Sequence, residues 1–179
     1  MLIRTLKPAL ERELAMKKLS AHGLSGWLRR CISGKLIGAA EIYIPYRLYK
    51  VTVRDRQKSA ERILAVDAAS GIFDPIEISQ NSFDCRLVET RNFLPARVAE
   101  AETQAAIMSK TRKALFSSGF FRLREPEISV VLAENDLHIG YWAGFYGSKQ
   151  KTNVVVLDAM TQTIAGGKVS ECVKNWLNN

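Results

Sequence analysis

Ile42-Tyr43-Ile44-Pro45-Tyr46-Arg47-Leu48-Tyr49 and Leu137-His138-Ile139-Gly140-Tyr141-Trp142-Ala143-Gly144 are degenerate copies of one stretch, and what surrounds them decides the fold. Gly23 stands 23 residues before Tyr46, and Gly119 stands 22 before Tyr141. An apolar run ending in Asp-Ala follows each copy: Leu64-Ala65-Val66-Asp67-Ala68, then Val155-Val156-Leu157-Asp158-Ala159. Three landmarks in the same order at nearly the same spacing read as one supersecondary unit present twice.

Strand side chains alternate between faces, and the alternation is in register between the copies. One face carries Ile42, Ile44, Tyr46 and Leu48, matched by Leu137, Ile139, Tyr141 and Ala143. It reads as the core face, packed against a helix. The other carries Tyr43, Pro45, Arg47 and Tyr49, matched by His138, Gly140, Trp142 and Gly144, and is amphipathic and aromatic. Polar turns are expected over 54–60 and 147–152, followed by apolar strands 62–67 and 153–158 that sit centrally with both faces covered.

Upstream of each copy the pattern is helical. Pro8 to Ala21 opens on a proline, with Glu11 and Glu13 early and Lys17 and Lys18 late, the order a helix dipole favours. Leu10 and Leu14 stack one turn apart, and His22-Gly23 is the stop. The second helix spans 96–118, with Val98, Ala101, Ala105, Met108 and Leu115 expected in the core. Leu24–Ile32 reads as strand or short helix. Ile128-Ser129-Val130-Val131-Leu132 reads as strand, and Ala133-Glu134-Asn135-Asp136 as a hairpin turn. Ile76-Glu77-Ile78 adds an edge strand. Val169, Cys172, Val173, Trp176 and Leu177 form the stripe of a C-terminal helix. The fold class is therefore α+β: tandem repeats of a helix plus an antiparallel β-meander, with helices on one face of each sheet. The first repeat covers 1–73, a connection 74–95, and the second repeat with the C-terminal helix 96–179.

A helix followed by a meander whose last strand ends in Asp-Ala resembles the PepSY-type module and, more loosely, cystatin-like folds. The residues that carry the resemblance are Ala65-Val66-Asp67-Ala68-Ala69-Ser70-Gly71 and Val156-Leu157-Asp158-Ala159-Met160-Thr161, with Gln162 where the second copy would place the glycine. The resemblance implies a non-catalytic binding or inhibitory module and supplies no catalytic residues.

The 179 residues carry a net charge of +8. Residues 1–62 hold 14 Lys/Arg against 5 Asp/Glu, a net of +9, so the positive field belongs to the N-terminal third. Lys17, Lys18, Arg29, Arg30 and Lys35 are the candidate basic patch for an anionic partner. No apolar run approaches the ~18 residues of a membrane span, and no secretory signal is expected. Three widely spaced cysteines without a C-x-x-C pair fit reduced thiols in the cytoplasm.

Little in the chain points to chemistry. His22 and His138 have no Cys or His at ligand spacing, so no metal is expected. Ser33-Gly34-Lys35-Leu36 lacks the hydroxyl a phosphate loop needs, and Gly166-Gly167-Lys168 fails likewise. Neither a cofactor nor an enzymatic activity is expected. Asp67 and Asp158 are read as caps of the turns that follow them rather than as an acid/base pair. The remaining candidates are Tyr43, Arg47, Tyr49, Trp142 and Tyr146, rings and a guanidinium of the kind that binding surfaces use. They hold a protein partner, bind nucleic acid by stacking with the basic third, or pack internally or in self-association. The expectation is a non-enzymatic binding domain acting through a protein partner, with nucleic acid as the alternative.

Overall fold

A computed structural model describes residues 1–7, 10–20, 34–55, 58–78, 84–117, 126–148 and 151–178. Its elements are β1 (Leu2–Leu6), α1 (Arg12–Leu19), β2 (Leu36–Asp55), β3 (Lys58–Asp67), β4 (Ile76–Ile78), β5 (Cys85–Glu89), α2 (Glu100–Ser117), β6 (Glu127–Ser148), β7 (Lys151–Asp158) and α3 (Gly167–Leu177). The class is mixed α+β, dominated by strands. Hydrogen bonding orders them β4-β3-β2-β6-β1-β5, with β7 also on β6. The expected edge strand at 76–78 is present and pairs with β3. β1 and β5 are additions to the sequence reading.

Two compact units divide the chain, and neither is a continuous segment. The first comprises residues 1–44, 86–94 and 138–179; the second comprises 45–85 and 95–137. β2 and β6 each contribute to both.

The second unit is built on the β2–β3 hairpin, whose register runs from Tyr46↔Asp67 to Asp55↔Lys58. Pairing therefore continues through Arg54, Asp55 and residues 58–60, inside the span expected as a turn. Tyr49, Val51 and Val66 of this hairpin form a core cluster with Ile107 of α2 and Val130 of β6. The buried positions of α2 are Thr103 and Ile107, whereas Ala101 and Ala105 are exposed, so the helix is rotated from the expected core face. A polar residue sets that rotation. The Thr103 hydroxyl shares a 2.6 Å hydrogen bond with the Tyr49 hydroxyl and donates to the Glu100 carbonyl at 2.8 Å.

In the first unit the β6–β7 hairpin runs in register from Tyr141↔Asp158 to Ser148↔Lys151. Leu10, Ala15 and Leu19 from in and around α1 cluster with Trp142, Leu157 and Ala159. Leu14 is exposed because the helix begins only at Arg12, leaving Ala15 and Leu19 as its buried face. Gly144 is where the helix comes closest: a Cβ there would lie 3.0 Å from Leu19 Cδ2. α3 buries Val169 and Val173, while Trp176 is half-buried and Leu177 exposed, so two valines rather than the tryptophan dock it. Ala133–Asp136 is not a turn but the middle of β6. Its polar Asn135 is accommodated in the strand because its Oδ1 accepts a 2.8 Å bond from Arg47 Nε.

The two hairpins end in similar Asp-capped turns. Asp67 Oδ1 accepts from the Ala69 and Ser70 amides at 2.6 and 2.9 Å, and Ser70 Oγ donates to its other oxygen. Asp158 Oδ1 accepts from Met160 and Thr161 at 2.7 and 3.2 Å. The next amide folds back identically, Ala68 to the Pro45 carbonyl and Ala159 to that of Gly140. Four residues beyond each Asp the backbone turns left-handed, at Gly71 (φ 70°) and at Gln162 (φ 59°). A side chain there costs about 1 kcal/mol. Gln162 offsets part of it, since Lys18 Nζ donates to its Oε1 at 2.9 Å and to its carbonyl at 3.2 Å.

Candidate binding cleft

The aromatic face expected at the surface is interior. Tyr43, Arg47, Tyr49, Trp142 and Tyr146 are all buried, none more than 8% exposed. Both faces of residues 42–49 are covered, and the helices meet this face rather than the Ile42/Ile44 face chosen from the sequence. A physical reason is visible in the hydrogen bonds. The polar tips of Arg47, Tyr49, Trp142 and Tyr146 are spent on a helix or the turn before it: a helix entering the sheet brings backbone carbonyls that aliphatic residues cannot satisfy. Arg47 Nη1 donates to the Val98 carbonyl at 2.7 Å, and Trp142 Nε1 to that of Leu10 at 3.2 Å. These acceptors occupy the same place, two residues before the first residue of α2 and α1 respectively. Tyr146 donates to the Leu19 carbonyl at the end of α1 at 2.6 Å, and Tyr49 to the Glu100 carbonyl at 3.2 Å. At most 2% exposed, the Tyr49 and Tyr146 rings are not open to a base or a partner side chain, whereas Trp142 lines a small recess.

Tyr43 belongs to a polar recess of about 360 Å³ in the first unit, with Arg12, Glu41 and Asn92. Burial and the neighbouring Glu41 carboxylate push its phenol up to about 12. It therefore remains a neutral hydroxyl at physiological pH and is no candidate base. Burial raises Tyr49 as well.

Of the expected basic patch, Lys17, Lys18 and Lys35 are exposed, and Lys18 is engaged by Gln162. Arg29 and Arg30 lie outside the described residues, as does His22. Among the described residues no three His, Cys, Asp or Glu side chains gather as metal ligands. Among the described residues Cys85 and Cys172 form no disulfide.

What the structure adds is a cleft of about 960 Å³ in the second unit. Val51, Val53, Leu64, Ala114 and Leu115 supply its apolar walls, and Asp55, Lys58, Arg62, Asp74 and Lys110 its charged margin. Its origin emerges when the hairpins are superposed by register. Counting from the Tyr↔Asp pair, the second unit has Tyr49 three residues on and Val51 five residues on. At the same positions the first unit has Gly144 and Tyr146. In the first unit, then, glycine admits Leu19 and the tyrosine ring fills the far end of the hairpin. In the second, the ring sits nearer the Asp end, and a valine leaves the far end open. α2 then continues to Ser117, and its Lys110, Thr111, Ala114 and Leu115 wall the space. The signal was present in the aligned copies, but only packing shows that the smaller residue leaves a void.

Charge around the cleft is incompletely paired. Lys110 Nζ meets Asp74 Oδ1 at 2.6 Å, and Arg62 meets Glu77 at 3.4 Å, both solvent-exposed pairs. Lys58 makes no ion pair among the described residues. No family model matches the chain, nor does any curated protein or solved structure. No described helix is long and apolar enough to cross a membrane.

Proposed function

We propose that the protein is a non-enzymatic binding domain whose working surface is the cleft of the second unit. The observation that carries this reading is the exchange of Tyr146 for Val51 at one register position, which leaves an apolar hollow where the other hairpin is filled. Cavities of this size and character are the usual receptacles for apolar ligands. The same reading takes the chain as two tandem helix-plus-meander repeats, each helix serving the hairpin of the other half. Supporting it are the two Asp-capped turns, the two carbonyls before α1 and α2 that receive Trp142 and Arg47, and the paired left-handed positions. Likeness to PepSY-type modules rests on those Asp turns and belongs to the proposal.

The neutral apolar fluorophore N-phenyl-1-naphthylamine tests the cleft. It should brighten on the wild-type protein, and Ala114→Trp, made at an exposed helix position on the cleft wall, should remove most of that signal. Undiminished brightening in this variant, with its fold intact, would contradict the reading.

A protein partner or a second copy of the chain has its own support, at the β5 end of the strand order. Leu87 on β5 and Leu2 on neighbouring β1 are 66% and 61% exposed, and apolar residues on an edge strand invite pairing. Sedimentation velocity should show association that Leu87→Lys weakens. Monomeric sedimentation of the wild type across the accessible concentration range, with no bound protein, would dismiss this second reading.

A further inference from the structure

Resting on the cleft reading, we propose that the ligand is a long-chain carboxylate: an unbranched apolar chain with an acid group at one end. The walls of Val51, Val53, Leu64, Ala114 and Leu115 offer dispersion contact and exclusion from water, with no buried polar side chain among the described lining residues to orient a ring or a sugar. The margin supplies the sign. Arg62 is paired with Glu77 and Lys110 with Asp74, and the cation of the margin without an ion pair among the described residues is Lys58. The Arg62 and Lys110 pairs are solvent-exposed, so they hold their partners weakly and can turn toward an incoming anion at little cost. A cationic head would instead meet the like charge of Lys58 at the mouth. Apolar length bound in the cleft, with the acid at its lysine-bearing mouth, satisfies both features at once.

Isothermal titration with decanoate, dodecanoate and tetradecanoate, below their aggregation concentrations, tests the assignment. Affinity should rise about fourfold per added methylene, the factor expected when each is fully buried. Dodecyltrimethylammonium should bind several-fold more weakly than dodecanoate. Lys58→Glu should erase or reverse that preference, whereas Lys168→Glu, the same change in net charge on α3, should leave it intact. Ala114→Trp should abolish binding, and Val51→Tyr, which reproduces the ring of the other hairpin, should do the same. Equal affinity for the two head groups, indifference to chain length, or an equal effect of the two charge reversals would overturn the proposal. If N-phenyl-1-naphthylamine occupies the cleft and dodecanoate does not, the carboxylate assignment fails alone. If neither binds, the cleft reading fails with it.

Discussion

Trp142→Ala is expected to destabilise the protein by about 3–5 kcal/mol, the range for truncating a large buried aromatic. Trp142 is 6% exposed, packs with Leu10, Ala15, Leu19, Leu157 and Ala159, and donates from Nε1 to the Leu10 carbonyl. Truncation therefore leaves a cavity and strands a carbonyl at the start of α1. Arg47→Ala, at the matching position of the other hairpin, should cost about 2–4 kcal/mol for a different reason. There the loss is mainly of charge-assisted bonds to the Val98 carbonyl and Asn135 Oδ1. Conservative changes separate the two cases. Trp142→Phe keeps most of the packing and should lose only about 1–2 kcal/mol. Arg47→Met keeps the aliphatic stem but neither donor, and should recover little. Urea unfolding with m-values held constant reads these differences directly. A near-neutral Arg47→Ala would show that the guanidinium does not hold the entry to α2.

Asp67→Ala is expected to cost about 2–3 kcal/mol, because the carboxylate accepts two backbone amides and a serine hydroxyl while only 3% exposed. Without it, two amides in a buried turn lose an ionised acceptor. Asp158→Ala should fall slightly lower, since its second amide contact is longer, at 3.2 Å. Asn substitutions retain an Oδ1 acceptor at the same distance along the side chain and should lose about 1 kcal/mol. The ratio between the Ala and Asn variants should be alike in the two turns. If Asp67→Ala were harmless and Asp158→Ala severe, the turns would not be energetic equivalents and the repeat reading would weaken.

How much was legible in the sequence depended on whether the deciding contact was local. The Asp turns could be read because an Asx cap uses the residue's own neighbours, and the alternation of β2 and β6 because a strand imposes it on every residue. Choosing the face that meets the helices needed tertiary information. Tyr49, Arg47 and Trp142 look like surface residues by composition, but their polar tips answer backbone groups about fifty or more residues away. Asn135 misled for the same reason: a polar residue flanked by Glu134 and Asp136 signals a turn unless an Arg47 is waiting for it. The rotation of α2 followed from Thr103, a residue that no hydrophobic pattern would put at the centre of a helix–sheet contact. As for the cleft, it is a difference between the two hairpins. Shared residues hold the fold, and the divergent pair Val51 and Tyr146 decides which hairpin keeps an open end.

The most direct test of the cleft is where an apolar molecule lands. A ¹H–¹⁵N correlation titration with N-phenyl-1-naphthylamine should shift the amides of Val51, Ala60, Leu64, Thr111 and Leu115 together, with one saturation curve. Those around Trp142 and Leu157 in the filled unit should stay still. Shifts scattered over the chain, or concentrated at Leu36, Trp142 and Leu157, would contradict it.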